Sequence, residues 1–218
     1  MTTQKALPNK IVALCERMDI ASFVDAYIRY LRKQGIEIPN VRIINFQVLD
    51  NLPRYLKMLE QADGFADIEK IVIFADAGVK RRETEHFLYK ARKNSFLKDF
   101  NYELFLFPKK SAAGNWTPGF MEDLLLPVLK HDTAEVEEFY NLRNITYEFL
   151  FSVNNCRGKE RRLVNHSRNF LYSYFSGTEK FVGMRLGEAA AKGAFDLEDE
   201  GFKDLREFLT GLEMRELP

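Results

Sequence analysis

Cysteine is scarce in this 218-residue chain, which has only Cys15 and Cys156. Two cysteines cannot build a disulfide framework, and no Cys/His cluster has zinc-ligand spacing, so a disulfide-stapled domain and a zinc module are excluded. A reducing cytosol is the expected compartment. No apolar run approaches the roughly 18 residues that a spanning helix needs, so no membrane span is expected. The segment Met1-Thr2-Thr3-Gln4-Lys5 lacks the apolar stretch of a signal peptide, and export is not expected. An excess of one charge sign is also missing, because 32 Lys and Arg balance 32 Asp and Glu. That balance disfavours a protein that coats nucleic acid by bulk charge. No Gly-x-Ser-x-Gly, P-loop or dinucleotide fingerprint occurs. His86, His131 and His166 have no partner at ligand or triad spacing. Repeats, low-complexity runs and Pro-rich linkers are absent too.

What is abundant is core material. Hydrophobic residues make up 46% of the chain and charged residues 29%, with nineteen Phe and nine Tyr, a globular composition. By length this is one domain of ordinary size, or a core domain with an extension. Two classes remain: a cytosolic α/β enzyme, or a binding module built like one.

The first 130 residues alternate strand and helix patterns. Ile11-Val12-Ala13-Leu14-Cys15 is wholly apolar, as in a strand buried on both faces. Asp19 follows as the expected N-cap of a helix carried by Ile20, Phe23, Val24, Tyr27, Ile28 and Leu31, and Gly35 stops it. Val41 to Leu49 reads as the second strand. Asp50 then caps a helix with Leu52, Tyr55, Leu56 and Leu59 inward. Ile71-Val72-Ile73-Phe74 is the third strand, followed by a charged helix from about Arg82 to Phe96. Leu104-Phe105-Leu106-Phe107 is the fourth, ended by Pro108. This order predicts an α/β fold with a mainly parallel, Rossmann-like sheet of about four strands flanked by helices. The loop from Lys109 to Pro118 is expected to be exposed, and a helix starting near Gly119 turns Phe120, Leu124, Leu125 and Val128 inward. Beyond His131 only helical patterns occur, around Phe139, around Phe170 to Phe175, from Met184 to Lys192 and from Phe202 to Leu212. The predicted organisation is an α/β domain over 8–130 and an all-helical C-terminal extension, 131–218, packed on it.

Ligands of open parallel sheets bind beyond the carboxyl ends of the strands. Glu16 follows the first strand, Asp76 the third, and Glu122 and Asp123 the loop after the fourth. Carboxylates converging there suit a hard cation such as Mg²⁺, which stabilises charge on a phosphoryl group. Each also has a purely structural explanation. Asp or Glu in a first helical turn favours the dipole without any ligand. Asp76 stands two residues before Gly78, a common turn arrangement. Glu16 at the end of a buried strand carries a desolvation cost, relieved by a metal or by a neighbouring Lys or Arg.

Cys15-Glu16-Arg17-Met18-Asp19 and Asp76-Ala77-Gly78 resemble the two motifs of the toprim domain of topoisomerases, bacterial primases and nucleases. Phe107-Pro108 and Gly119-Phe120-Met121-Glu122-Asp123-Leu124-Leu125-Leu126 are similar to an uncharacterised bacterial toprim-like family of unknown function. The resemblance extends over most of the chain and implies a toprim-like fold. It also implies that Glu16 is a general acid/base and that Asp76 binds Mg²⁺ in nucleic-acid phosphodiester chemistry of nuclease type. Two positions depart from the pattern. Arg17 stands where toprim motifs commonly have Gly, and the second Asp of the Asp-x-Asp pair falls on Gly78, or, in the alternative frame with Asp76 second, the first falls on Phe74, so one metal carboxylate is missing either way. Glu122 or Asp123 is available as a substitute ligand if the helix start folds over the strand ends. The alternative is a binding or regulatory module that kept the fold and lost the catalytic set. A small-molecule phosphotransferase using the same edge is a third reading.

Nucleic acid or a nucleotide is the partner these readings share. From Lys80 to Lys110 nine basic residues oppose four acidic ones, and Lys80, Arg81 and Arg82 follow Asp76 closely, making them the preferred phosphate contacts. Five more bases lie between Arg157 and Arg168. The simpler explanation is a solvated helix face. Trp116 is placed either to stack on a base or to pin its loop, and Cys15 reads as a core residue. Asp196 to Glu216 carries eight acids and three bases, which cancels the basic excess. A basic face survives only if the two segments lie on different sides of the fold.

Overall fold

The structure, a computed structural model, describes residues 10–108, 117–130, 136–158 and 163–212. Expectations for Trp116, Lys109, Lys110, His131, Lys159, Arg161, Arg162 and the chain beyond Leu212 lie outside the described residues.

The apolar runs pair as a four-stranded, all-parallel sheet. Its strands are β1 (Ile11–Cys15), β2 (Val41–Asn45), β3 (Lys70–Asp76) and β4 (Tyr102–Phe107), in the order β2-β1-β3-β4. Every residue of the two central strands, β1 and β3, is buried. Strand residues alternate between two cores, as the pleat requires. Ala13, Cys15, Val72, Phe74, Phe105 and Phe107 face one core, and Val12, Leu14, Ile71, Ile73 and Leu106 face the other. Helix α1 (Met18–Lys33) covers the first face. Helices α2 (Leu52–Glu60) and α3 (Arg81–Lys93) cover the second. The result is an α/β, Rossmann-like fold.

The rest of the described chain is helical: α4 (Met121–Leu125), α5 (Val136–Asn155), α6 (His166–Gly177), α7 (Leu186–Ala191) and α8 (Lys203–Thr210). Phe170, Leu171 and Phe175 of α6 and Leu205 and Leu209 of α8 enter the same core as α1 and the sheet. The Phe208 ring lies 5.6 Å from Phe74 and 5.2 Å from Phe105. Phe202 sits 5.3 Å from Tyr27 and 5.9 Å from Phe23. Among the described residues no helix is long and apolar enough to cross a membrane.

Several element boundaries differ from the sequence expectation for local reasons. β2 ends at Asn45 because the Asn45 side chain accepts a 2.8 Å hydrogen bond from the Gln47 N–H, and Gln47 turns the chain with φ 74°. Asp50 lies within a single 3-10 turn, Leu49–Asn51, and is not the cap of α2. Asp19 is not the N-cap of α1 either. Arg17 holds that position in extended conformation, and Asp19 is buried in the first turn. α3 stops at Lys93, and Phe96–Lys98 forms a separate 3-10 turn capped by the Ser95 hydroxyl.

This connectivity places the site. α1 leads from β1 outward to β2, whereas α3 leads from β3 outward to β4. The crossovers therefore diverge between β1 and β3, and a crevice opens at their carboxyl ends.

Candidate functional site

Glu16 and Arg17 leave the end of β1 beside Asp76 at the end of β3. The Glu16 backbone N–H continues the ladder to the Phe74 carbonyl at 2.9 Å. In return Glu16 Oε2 accepts from the Asp76 backbone N–H, also at 2.9 Å. Gly78 and Gly119 exchange two backbone hydrogen bonds, 2.7 and 2.9 Å, which fold the start of α4 over the end of β3. Both glycines have positive φ, and a Cβ on Gly119 would stand 2.7 Å from Asp123 Oδ2. Gly78 thus serves as a backbone turn that holds the start of α4 at the strand ends. The fold-over lets Asp76 Oδ1 accept from the Met121 N–H at 2.7 Å and brings Glu122 into the crevice, where it is fully buried.

At the centre is a guanidinium. Arg17 Nε donates to Asp76 Oδ2 at 2.9 Å, and Nη2 lies 2.6 Å from the same oxygen. Nη1 and Nη2 donate to the two Glu122 oxygens at 2.8 and 3.0 Å, a bidentate fork. Asp19 Oδ2 is 3.6 Å from Arg17 Nη1. Helix α6 closes the network from above. Asn165 donates to Glu122 Oε2 at 3.0 Å, Tyr172 donates to Asp19 Oδ1 at 2.6 Å, and Arg168 Nη2 stands 3.1 Å from Asp19 Oδ2. Asp123 accepts from the Phe120 N–H at 2.8 Å and from the Ser167 hydroxyl, and so fastens the start of α4 to α6.

Burial and crowding set the proton affinities. Burial pushes Asp76 up to about 7 against the attraction of Arg17, and the nearby Glu122 and Glu16 charges add to the rise. Burial also raises Glu16, although the Asp76 N–H and Arg17 oppose it. For Glu122 burial works the same way but is outweighed. The Arg17 fork, its charge and the Asn165 amide hold this carboxyl below the ordinary glutamate range. Burial disfavours the Arg17 charge, yet Glu122 and Asp76 more than compensate, so the guanidinium stays protonated. Burial and the Asp19 hydrogen bond push the Tyr172 phenol up.

The structure thus brings together three of the four acidic candidates, Glu16, Asp76 and Glu122, while Asp123 works as a helix-start anchor. Lys80 pairs with Glu83 at 2.9 Å and Arg81 with Glu85 at 3.6 Å along α3, and Arg82 is exposed there. Sequence reasoning marked Arg17 only as a departure from a motif and missed Asn165, Ser167 and Tyr172 altogether. The one available signal was the unpaired cost of a carboxylate ending a buried strand, which called for a nearby cation.

An Mg²⁺ ion needs several oxygens free to converge at about 2.0–2.1 Å. Here both Asp76 oxygens, both Glu122 oxygens and Glu16 Oε2 already accept from the chain's own donors, with a fixed positive charge between them. Among the described residues no group of three or more His, Cys, Asp or Glu side chains is arranged to hold a metal ion. The residues as placed do not fit a directly coordinated Mg²⁺. What the arrangement does do is tie β1, β3, α1, α4 and α6 together at the strand ends. Compared with protein-family models, curated proteins and solved structures, the chain matches none of them.

Proposed function

We propose that this chain is a toprim-like binding or regulatory module of the cytoplasm that keeps the scaffold without metal-dependent phosphodiester chemistry. The observation that carries this reading is the engagement of the inward carboxylate oxygens of Asp76 and Glu122 by Arg17, Asn165 and the Met121 N–H. Each of these four oxygens already accepts a hydrogen bond from the chain, so a metal there would compete with the Arg17 charge. Nucleic acid is the proposed partner, met through the basic side of α3, where Arg82, Lys90 and Lys93 are exposed.

The test is a cleavage and binding series on purified protein. Single- and double-stranded substrates with Mg²⁺ or Mn²⁺ are expected to stay intact. Binding followed by fluorescence anisotropy should be independent of metal and unchanged in Glu16→Gln. Cleavage that disappears in Glu16→Gln and Asp76→Asn would establish the enzyme instead. A thermal shift with nucleotides would favour the phosphotransferase.

A further inference from the structure

A second basic segment, Arg157 to Arg168, carries five bases against the single acid Glu160 and runs from the end of α5 into the first turn of α6. The two helices are clasped where it begins. The Asn154 amide donates to the Leu163 carbonyl at 3.0 Å and accepts from the Leu163 N–H at 2.7 Å. Beside this clasp Tyr147, Phe151, Asn154, Asn155 and His166 line an open cleft of about 490 Å³. That volume is within the range of small-molecule sites, roughly 300–1,000 Å³. Arg143, Tyr147, Phe151 and Asn155 stand four residues apart on α5 and so form one row along it. The Arg143 guanidinium carbon lies 5.5 Å from the centre of the Tyr147 ring, and the His166 ring 6.2 Å from the same ring. Among the described residues Phe151 is the most exposed large apolar side chain, at 70%.

The lining sorts into ring faces and amide edges. Tyr147, Phe151 and His166 supply the rings. Asn154 is committed to Leu163 and fixes the wall, whereas the exposed Asn155 amide offers a donor and an acceptor at the cleft. None of the five lining side chains is acidic, and the nearby Arg143 and Arg157 are basic. A flat heteroaromatic ring with a polar edge and an attached phosphate uses all three features. An aliphatic chain would use neither the amide nor the positive charge. We propose that the α5–α6 cleft is a nucleobase site: an unpaired base stacks on Phe151 and Tyr147, its edge meets the Asn155 amide, and its phosphate meets the neighbouring guanidinium groups. This inference rests on nucleic acid or a nucleotide as the partner, and it adds that the form recognised is an unpaired base.

The experiment compares the full chain with Phe151→Ala and Phe151→Trp. The probes are a labelled single-stranded oligonucleotide, an abasic strand of equal length, the corresponding duplex and a free nucleoside monophosphate. The unaltered chain should bind the single strand about fivefold or more tighter than the abasic strand, and tighter than the duplex, whose bases are already stacked. Phe151→Ala should lose that advantage while its Tm and the slope of affinity against salt stay the same, because stacking releases no counter-ions. Phe151→Trp should keep the advantage and lose emission on binding, beyond any change in the unaltered chain, whose one Trp is Trp116. Quenching by the monophosphate makes a free nucleotide sufficient as ligand, and quenching by the strand alone assigns the cleft to a base within nucleic acid. Equal affinity of the unaltered chain for the single and abasic strands overturns the inference, as does a Phe151→Ala protein that still prefers the former. So does a concentration-dependent dimer that Phe151→Ala breaks, which gives the face to a second copy. These results leave the nucleic-acid reading standing, whereas a chain that binds none of the four probes overturns both.

Discussion

Asp76 is under the influence of three donor atoms and two neighbouring carboxylates, and the balance has a consequence for stability. Its carboxyl is held at about 7, above the roughly 3.9 of an aspartate in an unfolded chain. Between those values the folded state keeps a proton that the unfolded state has lost. The stabilisation is therefore complete below about pH 4 and is lost as pH rises through about 7. Glu16, also raised, acts in the same direction, whereas Glu122, held low, loses its contribution only on strong acidification. Urea midpoints of the unaltered chain should fall between about pH 4.5 and 7.5, and Asp76→Asn should flatten much of that slope. Parallel profiles for the two proteins would remove Asp76 as the source. The acidic candidates were readable because each ends a strand or opens a helix. Their arginine was not, since Arg17 finds its partners 59 and 105 residues away and no local pattern encodes such distances.

At the scale of elements, the strands were legible because burial on both sheet faces leaves an unbroken apolar run, as in Ile11–Cys15 and Ile71–Phe74. The ends were less so. β2 was read too long because Phe46 and Val48 continue the apolar character, while the turn is made by Asn45 and by a positive φ at Gln47. The close approach of α7 to α1 was equally silent in sequence, since it depends on a hydrogen where other residues carry a methyl. A Cβ at Gly187 would lie 2.1 Å from the Ser22 carbonyl oxygen and 2.8 Å from the Phe23 nitrogen. Both contacts are backbone and cannot rotate away. Gly187→Ala should therefore destabilise the fold by about 1–3 kcal/mol or more, by forcing α7 off α1. Gly177→Ala, at the end of α6 with nothing within 4 Å, serves as the control and should be neutral or slightly stabilising. Equal urea midpoints for the two variants would mean that the helices can part at no cost.

For the whole molecule, the zero net charge conceals a separation across the sheet. From Lys80 to Lys98 seven bases oppose Glu83 and Glu85, and α3 anchors through Leu88 and Ala91 in the core it shares with α2. The acidic segment that starts at Asp196 anchors through Phe202, Leu205, Leu209 and Leu212 in the opposite core, beside α1. Its carboxylates turn to that side: Glu198 accepts from the Tyr30 hydroxyl at 3.0 Å, and Asp196 stands 3.6 Å from Lys130. Among the described residues the sheet lies between the two charge sets. An α3 face presenting Arg82, Lys90 and Lys93, with the exposed Tyr89 ring among them, remains available to a phosphate backbone. Lys90→Glu combined with Lys93→Glu should weaken oligonucleotide binding about tenfold or more and reduce its dependence on salt. Glu207→Gln, on the other side of the sheet, should change neither. The check is anisotropy of a labelled oligonucleotide titrated at several salt concentrations. If the double reversal leaves affinity and salt slope where they were, α3 is a solvated helix face and nucleic acid must be given up as the partner. A large loss confined to α3 would instead show that the balance of 32 against 32 charges is a sum over two faces with different tasks.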